Sequence, residues 1–205
     1  MELIALHVGP SIDWGVAGRP LAGQERSGDL HVVKQFDDGA LVAAIDGLGH
    51  GNAAADAAAS AGEILDRYAA EPLERLVARC HEGLRHTRGV VMGLARFPHK
   101  GSMTWLAVGD AEGVFVPDGA DEEGIRSLPQ HRGIVGLNLP ALHPVGVDLS
   151  PGDVVIMATD GVSPGGLRRG LLRSTPQWLA TDILAKSARA NDDALVLVVR
   201  YRGSA

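Results

Sequence analysis

Three apolar runs bordered by aspartate constrain the fold of this chain most strongly. They cover residues 41–45, 154–158 and 194–199, and each has the length and composition of a buried strand. Acids stand at or within two residues of the ends of these runs, namely Asp46, Asp160, Asp192 and Asp193. We therefore expect carboxylates that are far apart in sequence to converge at one end of a sheet system.

The rest of the pattern predicts an α+β fold. Apolar and alternating segments predict strands at residues 3–8, 30–36, 41–45, 90–97, 103–108, 113–116, 154–158 and 194–201. Helical spacing predicts helices over residues 52–68, 72–86 and 177–188, with Pro72 in a first turn. Residues 36–40 and 108–113 look like hairpin connections, and residues 150–153 have the Pro-Gly order of a type II turn. We expect one domain over residues 1–205, an antiparallel sheet system with helices grouped on its faces.

Composition excludes several classes of protein. Hydrophobic residues make up 45% of the chain and charged residues 21%, which is ordinary for a folded globular domain. The formal net charge of −6, without a basic stripe, argues against a nucleic-acid partner. No apolar run approaches the ~20 residues that cross a bilayer, and the N-terminus lacks the basic segment of a signal peptide. We therefore expect a cytoplasmic protein that binds neither membrane nor nucleic acid.

Several chemically notable side chains are better explained by packing or solvation. Cys80 is the single cysteine, which excludes an internal disulfide, and its helical spacing predicts a core position. Trp105 and Trp178 are also predicted to lie in the core. The acidic run within residues 117–138 is predicted to be a solvated loop. The histidines outside the glycine-rich loop described next show no metal-ligand spacing such as H-E-x-x-H.

The first acid belongs to a glycine-rich loop, Asp46-Gly47-Leu48-Gly49-His50-Gly51. Taken alone, the loop has two ordinary interpretations: a turn, because Asp-Gly is a common turn dipeptide, or an anion-binding loop that opens a helix. The second is weakened because the loop has neither the Lys-Ser/Thr ending nor the G-x-G-x-x-G spacing of phosphate-binding loops. The third interpretation, an ion site built from a carboxylate and bare backbone carbonyls, depends on the other acids.

Acids in three similar settings favour divalent cations. Buried carboxylates repel one another, and each costs several kcal/mol unless it is protonated or paired. No lysine or arginine lies in any of the three segments. Hard oxygen ligands favour Mg²⁺ or Mn²⁺. Two such ions about 3.5 to 4 Å apart would lower the pKa of a bridging water and stabilise an in-line phosphoryl displacement.

The ordered set of short segments resembles the metal-dependent type 2C (PPM) serine/threonine phosphatases, in their compact bacterial SpoIIE/RsbX branch. The segments are Ser27-Gly28-Asp29, Ala44-Ile45-Asp46-Gly47-Leu48-Gly49-His50-Gly51, Ala158-Thr159-Asp160-Gly161 and Asn191-Asp192-Asp193-Ala194. Residues 88–92 and 103–110 are similar to central strands of that branch, so the resemblance covers about residues 25–200. It implies a β-sandwich of two antiparallel sheets flanked by α-helices, with the metals at one end.

The resemblance also implies roles for individual residues. Asp46 would bridge two Mn²⁺ or Mg²⁺ ions, with the backbone carbonyl of Gly47 as a further ligand. Asp160 and Asp192 would hold the first ion, which makes them, with Asp46, the implied catalytic set. Asp29 would help to fix the second ion or its waters.

The chain departs from the pattern of the larger relatives at three points. They place a histidine directly after Asp-Gly, where it can protonate the leaving serine oxygen, but here that position is Leu48. His50 is the candidate proton donor, and a hydrogen bond from this histidine to the loop backbone is the alternative role. Leu195 replaces a frequent threonine, and no arginine near the N-terminus is assigned as the phosphate anchor.

The resemblance implies a cytoplasmic, monomeric serine/threonine phosphatase that attacks phosphate directly with a metal-bridging hydroxide. Its substrates would be phosphorylated STAS-domain proteins of a stressosome or partner-switching pathway, opposed by a serine kinase. The short chain, without a fused sensor segment, would provide negative feedback. Two alternatives stay open: a pseudophosphatase that binds a STAS partner without turnover, and a glycine-loop nucleotide-binding module.

Overall fold

The computed structural model describes residues 10–98, 101–162 and 174–204, and these form two five-stranded antiparallel sheets with three α-helices. The first sheet has, in spatial order, β1 (Pro10–Arg19), β10 (Ala194–Ser204), β9 (Val154–Ala158), β6 (Glu112–Val116) and β7 (Arg126–Ser127). The second has β2 (Asp29–Phe36), β3 (Gly39–Gly47), β4 (Val90–Pro98), β5 (Ser102–Val108) and β8 (Val145–Asp148). The helices are α1 (Asn52–Tyr68), α2 (Leu73–Gly83) and α3 (Pro176–Ser187).

The apolar runs form central strands that are buried on both faces. In β3, Leu41 and Ile45 pack in the core beneath α1 and α2, whereas Val42 faces the core between the two sheets. In β10, Leu197 faces the core between the sheets and Val196 faces the core beneath α3. Because successive strand residues point to opposite faces, both positions of each pair are apolar. The result is four layers, in the order helices, sheet, sheet, helix.

Most of the predicted elements are confirmed. The antiparallel sandwich flanked by helices is present, and α1 begins and ends at the predicted residues. The turn before β9 also forms, with Asp153 N–H donating to Ser150 O at 3.1 Å and Gly152 at φ 100°. The strand predicted at residues 3–8 lies outside the described residues, and β1, β7 and β8 were not predicted.

The connection at residues 108–113 is not a hairpin, contrary to prediction. β5 pairs with β4 and β8 in the second sheet, whereas β6 pairs with β9 and β7 in the first sheet. The chain therefore crosses between the sheets here, and Gly109 adopts φ 88° at the crossing. A short connection with turn residues predicts a change of direction, but the long-range strand pairing decides which sheet receives the next strand.

The packing predictions hold for Cys80 and Trp105, which are both fully buried, but fail for Trp178. Trp178 is 48% exposed. Leu179 and Ile183 face the core, and a neighbouring helical position is rotated by about 100°, which turns the indole outward. The acidic run is solvated as predicted, since Asp118, Asp121 and Glu123 are exposed. No helix within the described segments is long and apolar enough to cross a membrane.

Candidate metal and active site

Antiparallel pairing brings acids from both sheets to one end of the sandwich. β3 and β5 flank β4 and run in the same direction, so Asp46 and Asp110 lie at the same end of the second sheet. In the first sheet, Asp160 follows the end of β9 and Asp192 precedes the start of its partner β10. These four aspartates line one cleft, which has a volume of about 620 Å³. The structure thus brings together three of the predicted acids and adds Asp110.

Asp29 lies behind the cleft surface. It pairs with Asp46 in the β2–β3 register and is buried. The hydroxyl of Thr159 donates to its Oδ2 at 2.7 Å and accepts from the backbone N–H of Leu195 at 3.0 Å. This chain of hydrogen bonds joins the two sheets beside the acids. It also holds the Asp29 carboxylate close to Asp46, as a residue supporting a second ion would require.

Burial and mutual repulsion favour the neutral form of three of these acids, Asp46, Asp29 and Asp160. Burial raises the pKa of Asp46 to about 9, and the charges of the neighbouring aspartates contribute. Burial also raises the pKa of Asp29 to about 7, although the hydrogen bond from Thr159 opposes the shift. The pKa of Asp160 is raised by burial and by Asp192, with the positive charge of Arg189 acting in the other direction. Without a bound cation, the folded protein therefore favours the protonated forms of Asp46 and Asp29.

The chemistry of the donor set fits hard divalent cations. Among the described residues, none of the four cleft aspartates forms an ion pair with lysine or arginine. Within residues 10–98, 101–162 and 174–204, no group of three acidic, histidine or cysteine side chains is already arranged to hold a metal ion. Carboxylates that share a cleft without forming a closed cluster suit Mg²⁺ or Mn²⁺, since Mg²⁺ usually keeps several waters and takes few protein ligands. Asp46, Asp160 and Asp192 remain the predicted ligands, together with the Gly47 carbonyl.

We expect the metal-free protein to lose stability as the pH rises from about 5 to 9. The unfolded pKa of aspartate is about 3.9, so the folded protein binds more protons than the unfolded protein over this interval. Mg²⁺ or Mn²⁺ should raise Tm most at the alkaline end. At a hundredfold excess of the metal over its Kd, binding stabilises the folded protein by about 2.7 kcal/mol. Thermal unfolding at pH 5.5 and 8.5, with EDTA or with metal, measures both effects. A metal-induced shift in Tm that is larger at pH 5.5 would contradict the assignment.

Asp193 has a structural role, which separates it from the adjacent Asp192. It is only 3% exposed. Its carboxylate accepts from the backbone N–H of Leu21 at 2.7 Å and from that of Gly28 at 3.0 Å. Asp192 faces the cleft, and its Oδ1 accepts from the N–H of Asp193. The first acid of the pair is thus available to a ligand, and the second fixes the segment that leads into β2.

Asp193→Ala should therefore destabilise the fold by about 2 to 4 kcal/mol, because it leaves two backbone N–H groups without their acceptor. Asp192→Ala is the matched comparison and should change the free energy of unfolding by less than about 1 kcal/mol. Urea unfolding without metal measures both values. A larger loss for Asp192→Ala than for Asp193→Ala would reverse the assignment of the pair.

The two Asp-Gly pairs are explained by close backbone packing. A Cβ on Gly47 would lie 2.1 Å from the carbonyl oxygen of Ala54 in α1. A Cβ on Gly161 would lie 1.9 Å from the carbonyl oxygen of Asp193. Positive φ values, which favour glycine, occur later in the first loop, at Gly49 (88°) and Gly51 (74°). The glycine after each acid therefore lets a second segment pack directly against the end of its strand.

Two further residues of the cleft were not identified from sequence. Asp110 follows strand β5 by one glycine, which is the same pattern of an acid beside a strand end that marked Asp46 and Asp160. That pattern would have found it. Arg132 lies in an irregular segment without a local signal, and only the fold places it in the cleft. His50 lines the cleft and is exposed, in keeping with its candidate role as proton donor.

Comparison with known proteins identifies relatives of the chain. The family described as Stage II sporulation protein E (SpoIIE) matches residues 37–202. Phosphoserine phosphatase RsbX of Bacillus subtilis (strain 168) is 26% identical over 108 residues, which cover 52% of this chain and 53% of that protein. The match thus spans about half the length of this curated relative.

Solved structures share the fold over nearly the whole chain. One, described as the bacterial stressosome, a modular system adapted to control secondary messenger signaling, is 30% identical with a TM-score of 0.84. The alignment covers 93% of this chain and 100% of that one. RsbX in complex with magnesium is 19% identical with a TM-score of 0.80, covering 93% and 95% of the two chains, and shows the same fold. Because the family match extends over residues 37–202, the chain belongs to the SpoIIE family of PPM-type phosphatase domains.

Proposed function

We propose that this protein is a metal-dependent phosphatase that removes phosphate from serine or threonine of phosphorylated STAS-domain proteins. The observation that carries the proposal is the cleft in which Asp46, Asp110, Asp160 and Asp192 converge from both sheets. Among the described residues no lysine or arginine neutralises them through an ion pair. Such a site accepts cations, and a phosphate ester is the substrate class that such cations bind.

The residues of the cleft would have different roles in hydrolysis: some would hold metal ions and one would donate a proton. When bound, two Mn²⁺ or Mg²⁺ ions would lower the pKa of a coordinated water and neutralise charge on the phosphate. Asp46, Asp160 and Asp192 would hold the ions, with the Gly47 carbonyl beside them and Asp29 in support. Hydrolysis adds water across the phosphorus–oxygen bond, so the departing serine oxygen must gain a proton. His50 lines the cleft and would supply that proton.

Relatives support the choice of pathway. The match to phosphoserine phosphatase RsbX and the similarity to a stressosome structure favour a stressosome or partner-switching pathway. In such a pathway the enzyme would oppose a serine kinase and provide negative feedback. We further propose that it acts in the cytoplasm as a monomer.

The proposal is tested by phosphate release from p-nitrophenyl phosphate and from a phosphoserine STAS protein, with Mn²⁺, with Mg²⁺ or with EDTA. We expect activity on both substrates that requires metal. A protein that binds the STAS partner but releases no phosphate under any condition would be a pseudophosphatase. Saturable binding of a nucleoside triphosphate, without phosphatase activity, would favour the nucleotide-binding alternative.

A further inference from the structure

Arg132 shares the cleft with the four aspartates. It is exposed, and it lies on the wall formed by the segment after β7. We propose that Arg132 binds the phosphate group of the substrate, an inference that rests on the proposed phosphatase function.

The backbone around Arg132 is anchored on both sides. Before it, the N–H of Gly109 donates to His131 O at 2.8 Å, and the N–H of His131 donates to Ala107 O at 2.9 Å. After it, Val135 exchanges two hydrogen bonds with Val90, at 3.0 and 2.9 Å. These bonds tie the segment to the ends of β5 and β4, the strands beside Asp110 and Asp46. The guanidinium is therefore carried on a fixed wall of the cleft.

The ring of His131 adds a third attachment. Its Nδ1 lies 3.1 Å from the carbonyl oxygen of Ala107, and its Nε2 accepts from the backbone N–H of His143 at 3.1 Å. Because Nε2 accepts, the proton of the neutral ring is on Nδ1, which donates to Ala107. Both ring nitrogens are thus used in holding the segment. His131 is a positioning residue for its neighbour and does not itself line the cleft.

The Arg132 guanidinium is available for a ligand. It has no hydrogen bond, ion pair or aromatic contact with any described residue, although four aspartates line the same cleft. Three other exposed arginines do bind carboxylates: Arg26 binds Asp56, Arg79 binds Glu71 and Arg202 binds Asp13. Arginine binds phosphate oxygens through two parallel hydrogen bonds, a geometry that lysine does not reproduce. Arg132 thus provides a directional anion contact in the same cleft as the carboxylates.

The test compares Arg132→Ala and Arg132→Lys with the wild type in the Mn²⁺-dependent hydrolysis of p-nitrophenyl phosphate. We expect Arg132→Ala to raise KM and the inhibition constant of inorganic phosphate by about 10- to 100-fold, as for loss of a charged hydrogen bond. The Mn²⁺ concentration for half-maximal activity should stay within about twofold, and lysine should restore part of the loss. Arg67→Ala is the control, because it removes one exposed positive charge near the far end of α1 and should change neither constant.

The outcomes separate this inference from the proposed function. Unchanged KM and phosphate inhibition in Arg132→Ala, with an active wild type, would overturn the role of Arg132 and leave the phosphatase proposal intact. An equal effect of Arg67→Ala would also overturn it, because any surface charge would then suffice. If the wild type has no metal-dependent activity, calorimetric titration with inorganic phosphate in Mn²⁺ decides the inference. Binding that is lost in Arg132→Ala supports it, and absent or unchanged binding refutes it.

Discussion

Asp46→Asn is expected to reduce metal-dependent phosphatase activity by more than about 100-fold while leaving the protein folded. Loss of an outer-shell partner of a metal site costs about 10- to 100-fold, and Asp46 is the proposed bridging ligand itself. Asparagine resembles the protonated carboxyl group, which is the form that burial favours by raising the pKa of Asp46 to about 9. The metal-free variant at pH 8 should therefore be at least as stable as the metal-free wild type.

The measurement combines activity with thermal unfolding. Wild type and Asp46→Asn are assayed with p-nitrophenyl phosphate across a Mn²⁺ series, and the shift in Tm caused by Mn²⁺ is recorded for each. The variant should lose both the activity and most of the shift. Asp66→Asn is the matched control, since this exposed residue of α1 pairs with Lys34 at the surface. Full activity in Asp46→Asn would remove Asp46 from the proposed site.

Gly161→Ala is expected to destabilise the fold by about 3 kcal/mol or more, a large part of the stability of an ordinary domain. The new methyl group would lie 1.9 Å from the carbonyl oxygen of Asp193. A backbone atom cannot rotate away as the end of a side chain can, so the segment before β10 would have to move. That movement would displace Asp192 and Asp160 together, and we expect activity to fall with stability.

Gly146→Ala provides the control for this prediction. Gly146 lies in the exposed strand β8, and a Cβ there would meet no atom within 4 Å. The same chemical change should therefore be neutral or stabilising by up to about 1 kcal/mol, through the reduced freedom of the unfolded chain. Urea unfolding of the two variants gives the comparison. Equal free energies of unfolding for the two variants would contradict the prediction, because the backbone would then accommodate the new methyl group at position 161 without loss of stability.

Local patterns predicted the parts of the fold that depend on local chemistry. The wholly apolar runs identified strands buried on both faces, because every position of such a strand needs an apolar partner. Helical spacing predicted α1 at its observed bounds. Edge elements carried a weaker signal: β8 has exposed or half-buried positions throughout, and it was missed.

The functional assignments differ in the same way. An acid beside a buried strand end is visible in sequence, and this pattern marked Asp46, Asp160 and Asp192. It applied equally to Asp110, but residues 108–113 were interpreted as a hairpin connection and Asp110 was given no role in the site. The roles of Asp192 and Asp193 could not be separated from sequence, since two adjacent identical side chains differ only in the direction each one points.

The sequence by itself determined which segments become buried strands and which acids stand at their ends, because burial and strand period act over a few residues. The tertiary structure alone decided that β5 and β6 belong to different sheets. It also decided that Asp110 joins the other acids and that Arg132 reaches the same cleft. These juxtapositions depend on pairing between strands that are distant in sequence, and that pairing is selected by the packing of the whole sandwich.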